Sequence, residues 1–146
     1  MGYTHYYRQQ RDYTEQEWDR LIEATKKIFA YCEQNGIILE NDSPLSERGI
    51  APIADENMIW FNGQESSGLS HESFVLSQTK GDDFSFCKTA QKPYDNAVCM
   101  VLLSSHSIAP EVLEISSDGE FEEWKPIIDD WENLFNDSIN GKILLK

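Results

Sequence analysis

The chain reads as an α+β domain with a mainly antiparallel sheet and about three helices, in the order β-α-β-β-β-α-β-α. Three observations predict this. Two segments carry apolar residues at three- and four-residue spacing. Short aromatic or β-branched runs alternate with polar residues between turn formers. One continuous apolar run near the middle has the character of a buried element. At 146 residues, with 40% hydrophobic and 12% aromatic composition, residues 1–146 make a single domain able to bury a core.

The elements follow in order. Tyr3 to Arg8 is aromatic and polar and predicts a first strand. Thr14 and Glu17 form a capping-box pattern, each side chain placed to take an orphan backbone N–H. The helix after it carries Trp18, Leu21, Ile22, Thr25, Ile28, Phe29 and Cys32 as one stripe, and Gly36 is its stop. Leu39 to Asp55 is an irregular loop rich in turn formers. Met58 to Asn62 predicts a strand closed by Asn62-Gly63. Phe74 to Ser77 and Phe84 to Lys88 predict two more, turned by Lys80-Gly81-Asp82-Asp83 into a meander. Asp95 or Asn96 is placed to cap a second helix running to about Ser105. That segment, Ala97 to Leu103, is apolar on nearly every side, and a strand is its alternative. Val112 to Ser116 alternates as a strand. The last amphipathic helix runs through Phe121, Trp124, Ile127, Ile128, Trp131, Leu134 and Phe135. Pro126 begins its regular part or kinks it.

Charge and cysteine content limit the function. The formal net charge is −14 with 12 basic residues, which argues against a groove for nucleic acid. Glu111 to Asp137 holds ten acids against Lys125 alone. A solvated acidic helix face explains that pattern, and a DNA-mimicking surface for a basic protein partner is the alternative. Cys32, Cys87 and Cys99 are odd in number and far apart, so neither a disulfide framework nor a zinc ribbon is expected. No run approaches the roughly 18 apolar residues of a membrane helix. The N-terminus lacks the pattern of a signal peptide. A cytoplasmic protein with no membrane partner is expected.

Three constellations are candidates for chemistry. The first is Phe86 to Asp95, with Lys88, Thr89, Lys92, Tyr94 and Asp95 at a strand-to-helix junction. A helix N-terminus offers unpaired N–H groups and partial positive charge, and two lysines add to it. Such a junction suits a phosphate or carboxylate, with Asp95 as helix cap or as acceptor for a ribose hydroxyl. Surface lysines beside an ordinary turn are the plain alternative. The second is Asn62-Gly63 with His71 and Glu72, where His71 is a candidate general acid or base. Neighbours on a strand point to opposite faces, so His71 and Glu72 are not expected to touch there. The third is Tyr3 to Arg8, where aromatics with His5 and Arg8 suit a base and its phosphates. Strand packing is the plain alternative. His5, His71 and His106 lack ligand spacing, so no metal site is expected, and no cofactor is indicated.

These residues carry a resemblance that covers nearly the whole chain. Gly2-Tyr3-Thr4-His5-Tyr6-Tyr7, Phe61-Asn62-Gly63, His71-Glu72-Ser73-Phe74 and Phe86 to Asp95 resemble a group of small uncharacterised proteins of phages and bacteria. Those proteins typically open with GYTHYW and carry FNG, HE-x-F and FCKTA-x-KPYD. Tyr7 stands here where the group has Trp. The resemblance implies a phage or mobile-element origin and a life inside a bacterium. It also places His5, Asn62, His71, Lys88, Thr89, Lys92, Tyr94 and Asp95 in the group's motifs.

The expected function is therefore capture of a small anionic, nucleotide-derived ligand, which would antagonise a defence signal. Lys88, Thr89, Lys92, Tyr94, Asp95, Asn62, Glu72, Tyr7 and Arg8 are the expected contacts. Cleavage of a phosphodiester or glycosidic bond by His71 or His5 is the second reading, and the acidic interaction surface is the third. A homo-oligomer is a further expectation, since small ligand-trapping domains often build pockets between subunits.

Overall fold

A computed structural model describes residues 3–42, 50–81 and 85–139. Among them the element order is β1 (Thr4–Gln9), α1 (Glu15–Gln34), β2 (Leu39–Glu40), β3 (Ile53–Ala54), β4 (Met58–Gly63), β5 (Phe74–Ser77), β6 (Ser85–Lys88), α2 (Asp95–Ile108), β7 (Leu113–Ser117) and α3 (Phe121–Phe135). The architecture is α+β with antiparallel pairing throughout.

α1 begins as its sequence dictates. Thr14 Oγ1 accepts from the Glu17 N–H and the Glu17 carboxylate accepts from the Thr14 N–H, both halves of the box. Trp18, Leu21, Ile22, Thr25, Ile28 and Cys32 are buried on one stripe. Gly36 sits at φ +76°, the left-handed position a helix end favours. The apolar run is the helix α2, buried along nearly its whole length between α1 and α3. α3 is opened by Glu120 and Glu123 in a second capping box and holds Pro126 within its span.

The strands form two sheets. β6-β1-β7 is one, and β4 carries β5 on one edge and both β2 and β3 on the other. The expected meander is thus only half present, since β4 and β5 pair but β6 leaves to pair with β1. The reason lies in the far end of the chain. β1 supplies two edges, and β6 and β7 satisfy both. Phe84, Asp82, Asp83 and residues 43–49 of the long loop lie outside the described residues.

Alternation assigns the faces of the β6-β1-β7 sheet. His5, Tyr7, Cys87, Leu113 and Ile115 point inward and are buried. On the other face Arg8, Phe86, Lys88 and Glu114 are exposed and Tyr6 and Ser116 half-buried. Register places Tyr6 opposite both Phe86 and Ser116, and Arg8 opposite Glu114. Among the described residues no helix is long and apolar enough to cross a membrane.

Candidate functional site

The motif segments meet through strand pairing and shared hydrogen bonds. β1 pairs with β6 so that Thr4 faces Lys88 and His5 faces Cys87. The Glu72 N–H donates to the Lys88 carbonyl at 3.1 Å, and the Glu72 carboxylate accepts from the Lys88 N–H at 2.9 Å. The Tyr94 hydroxyl donates to the Glu72 carbonyl, with a second contact to the Lys88 carbonyl at 3.3 Å. Asn62 ties the next loop. Its Oδ1 accepts from the His71 and Gly63 N–H groups, and its Nδ2 donates to the His71 carbonyl and to Ser73 Oγ. Gly63 is required there, because a Cβ would lie 1.9 Å from the Leu69 carbonyl oxygen.

At the centre lies a sealed polar cluster built on His5, whose ring is fully buried. Hydrogen accounting assigns its protons. Ser117 Oγ accepts from the Gly119 N–H at 2.9 Å and from Trp124 Nε1–H at 3.2 Å. Both lone pairs are then used, so the hydroxyl donates to His5 Nδ1 at 2.8 Å. A neutral ring therefore carries its proton on Nε2, which donates to Asp95 Oδ1 at 2.6 Å. Thr89 Oγ1 donates to the same oxygen at 2.5 Å, and Cys99 Sγ lies 3.6 Å from Oδ2. Asp95 is the first residue of α2 rather than its cap, a place where the helix dipole favours negative charge. Tyr3 and Trp124 close the ring edge-on at 5.2 and 5.3 Å.

This arrangement limits the chemistry. Burial and the Asp95 charge push the Cys99 thiol well above its ordinary range, and the thiol is a poor nucleophile. His5, Asp95 and Cys99 bring three donor atoms within 4.8 Å of one another, a donor set suited to a transition metal. A tetrahedral ion would need a fourth donor and the loss of the protons on Sγ and Nε2. Those protons already serve the carboxylate. No buried side-chain N or O among the described residues lacks a partner.

The remaining candidates divide by exposure. Lys88 and His71 are exposed, and Lys92 and Glu72 are half-buried. Thr89 and Tyr94 are fully buried and Asn62 nearly so, held in the bonds above. Tyr7 is 2% exposed, packs its ring on Phe74 at 4.9 Å and donates its hydroxyl to the Val75 carbonyl. The stacking surface expected at Tyr7 is therefore turned inward, and strand alternation moves it to Tyr6. Arg8 shares the outward face. Cavities of about 530 Å³ among α1, α2 and α3 and about 520 Å³ beside α1 and β2 are lined by none of the sequence candidates.

Cys99, Ser117 and Trp124 lie outside every candidate constellation of the sequence, and Phe86 and Tyr6 lie inside two of them without being among the expected contacts. For Phe86 and Tyr6 the signal was parity. Phe86 shares a face with Lys88, and Tyr6 shares one with Arg8. Phe86 is 46% exposed, and the Lys88 Nζ stands 5.8 Å from its ring centroid. The outward face thus presents two aromatic rings in one cross-strand row with a cation beyond each. No family model, curated protein or solved structure matches this chain.

Proposed function

We propose that the protein binds and sequesters a small anionic ligand of nucleotide type on the outward face of β6-β1-β7. One observation carries the reading. Half-buried Tyr6 and exposed Phe86 are register partners in β6-β1-β7, with Arg8 and Lys88 on the same face. Flat aromatic rings on a sheet stack bases, and cations beside them take phosphates. In a chain of net charge −14, two cations on this face suit a small ligand rather than a polyanion. The resemblance to phage-type proteins adds the setting. There the captured ligand is a bacterial defence signal and the compartment is the cytoplasm.

Isothermal titration against mononucleotides, cyclic nucleotides and ADP-ribose tests this. Binding that weakens several-fold in Lys88→Ala and Phe86→Ala is expected. Mass spectrometry of ligand released by denaturation is expected to return it unchanged. A cleaved product transfers the reading to catalysis. Silence across the panel with folded protein overturns it.

A further inference from the structure

The cavity of about 530 Å³ among α1, α2 and α3 is lined by no residue of the β6-β1-β7 sheet, so it stands apart from the nucleotide reading. Its volume is within the range of small-molecule sites. Each helix contributes by helical spacing. α1 gives Arg20, Ala24 and Lys27 at positions i, i+4 and i+7, one stripe about 10 Å long. α2 gives Ser104 and Ile108, and α3 gives Trp131 and Phe135, each pair four residues apart. Ala24 explains the space, since only a methyl group stands between two long side chains.

The floor is aromatic and fixed. The Trp131 and Phe135 ring centroids lie 5.0 Å apart. The Trp131 indole N–H donates to Ser104 Oγ at 2.9 Å, and both residues are buried. That bond uses the only donor of the indole, so the ring offers a ligand carbon alone. The charges are exposed at the rim. The Lys27 Nζ lies 5.3 Å from the Phe135 ring centroid. Among the described residues Arg20 joins no ion pair, whereas Arg11 is paired with Glu17 and Lys125 with Asp129. Asp19, Glu23 and Asp137 line the same cavity and are exposed.

We propose that this cavity binds a small aromatic monocarboxylate, its ring on Trp131 and Phe135 and its carboxylate at Arg20. A guanidinium matches a carboxylate with two parallel hydrogen bonds. Aromatic rings pack favourably on one another in offset or edge-on arrangements. Lys27 adds a second positive charge on the same stripe. The three carboxylates repel a second negative charge on the ligand, which selects a monoanion over a dianion.

The test is displacement of anilinonaphthalene sulfonate, an aromatic monoanion that fluoresces in apolar sites, from the full chain. Naphthoate is expected to compete about five-fold more tightly than the neutral naphthamide of the same shape, the factor that an exposed ion pair supplies. Arg20→Gln is expected to remove that factor and leave the affinity of the amide unchanged. Ala24→Phe fills the cavity and is expected to abolish binding of probe and competitors. Lys125→Gln removes a cation outside the cavity and leaves all affinities unchanged. Circular dichroism and urea midpoints establish that the variants fold. Equal affinity for acid and amide, or a loss in Lys125→Gln equal to that in Arg20→Gln, overturns the proposal. Probe binding that survives Ala24→Phe places the ligand elsewhere and overturns it too. Binding that weakens as protein concentration rises assigns the cavity to a second copy of the chain. Binding that appears only when residues 140–146 are deleted assigns it to that segment. Either result overturns the small-molecule proposal.

Discussion

Asp95→Ala is the perturbation that tests the buried cluster most directly. The wild-type carboxylate receives His5 Nε2–H at 2.6 Å and Thr89 Oγ1–H at 2.5 Å, with Cys99 Sγ at 3.6 Å. His5, Thr89 and Cys99 are each fully buried. Removing the acceptor strands three donors whose own residues are fully buried. A stranded buried donor costs about 1–3 kcal/mol, with the weak S–H donor at the low end. Local relaxation recovers part of this, so a loss of about 3–5 kcal/mol is expected, the range for breaking a buried pair. For a domain this size that lowers Tm by about 10–15 °C. Urea unfolding followed by tryptophan fluorescence measures it, with an unchanged slope showing that the folded state stays compact.

Graded variants separate the contributions of the donors. Asp95→Asn keeps one acceptor oxygen but turns an NH₂ group toward a donor, and is expected to lose less, about 1–2 kcal/mol. Thr89→Val removes a single donor at nearly constant shape and is expected to cost about 1 kcal/mol. The order Asp95→Ala, Asp95→Asn, Thr89→Val follows from counting stranded donors. A loss under about 1 kcal/mol for Asp95→Ala would refute the accounting.

Three further expectations follow. Ala90 and Gln91 hold φ of 52° and 55° in a turn closed by the Lys92 N–H on the Thr89 carbonyl at 3.0 Å, and left-handed backbone is costly for residues with a Cβ. Glycine at either site is expected to raise stability by about 0.5–1 kcal/mol in urea, and a loss there contradicts the strain. His106, half-buried in the last turn of α2, has its pKa lowered by burial. The unfolded chain then binds the proton first, so stability falls as pH drops below about 6.5. His106→Gln is expected to flatten that step in a pH series of urea midpoints. Glu17 is held down to about 2 by Arg11, which reaches its two oxygens at 2.9 and 3.2 Å, and by the Thr14 N–H. Its contribution is present above about 4.5, the unfolded value, and is lost as pH falls toward 2. The Arg11–Glu17 ion pair lies at the surface and is screened by water, so Arg11→Ala is expected to reduce the acid-induced loss only in part.

The fold was legible where local rules decide it. The Thr14 and Glu17 box, the stripe from Trp18 to Cys32 and Gly36 define α1 without any tertiary information. The apolar run after Asp95 was helix or strand by pattern alone, and burial between two other helices selects helix. Strand partners were not legible. The Lys80-Gly81 turn suggests that β5 pairs with β6, yet β1, about 80 residues earlier, takes β6 instead. Nothing within the segment records a partner so far away, because period-two alternation fixes which face is buried and leaves the neighbour open.

The same limit explains the site. His5, Asp95 and Cys99 are separated by 90 and 94 positions, and no spacing rule connects them. The motif Phe86 to Asp95 does contain the instructions for both halves of the result, in alternate residues. Cys87, Thr89 and Asp95 turn inward to build the cluster, and Phe86 and Lys88 turn outward. β1 repeats the division, with His5 and Tyr7 inward and Tyr6 and Arg8 outward. A single register error between these strands would bury Lys88 and Arg8 and expose His5. The polar cluster opposes that slip, because only the observed register brings His5 to Asp95 and Thr89. The buried His–Asp pair thereby fixes the alignment that places Tyr6 opposite Phe86. Substitutions in the cluster are accordingly expected to disturb binding on the outer face through register, without touching the ligand.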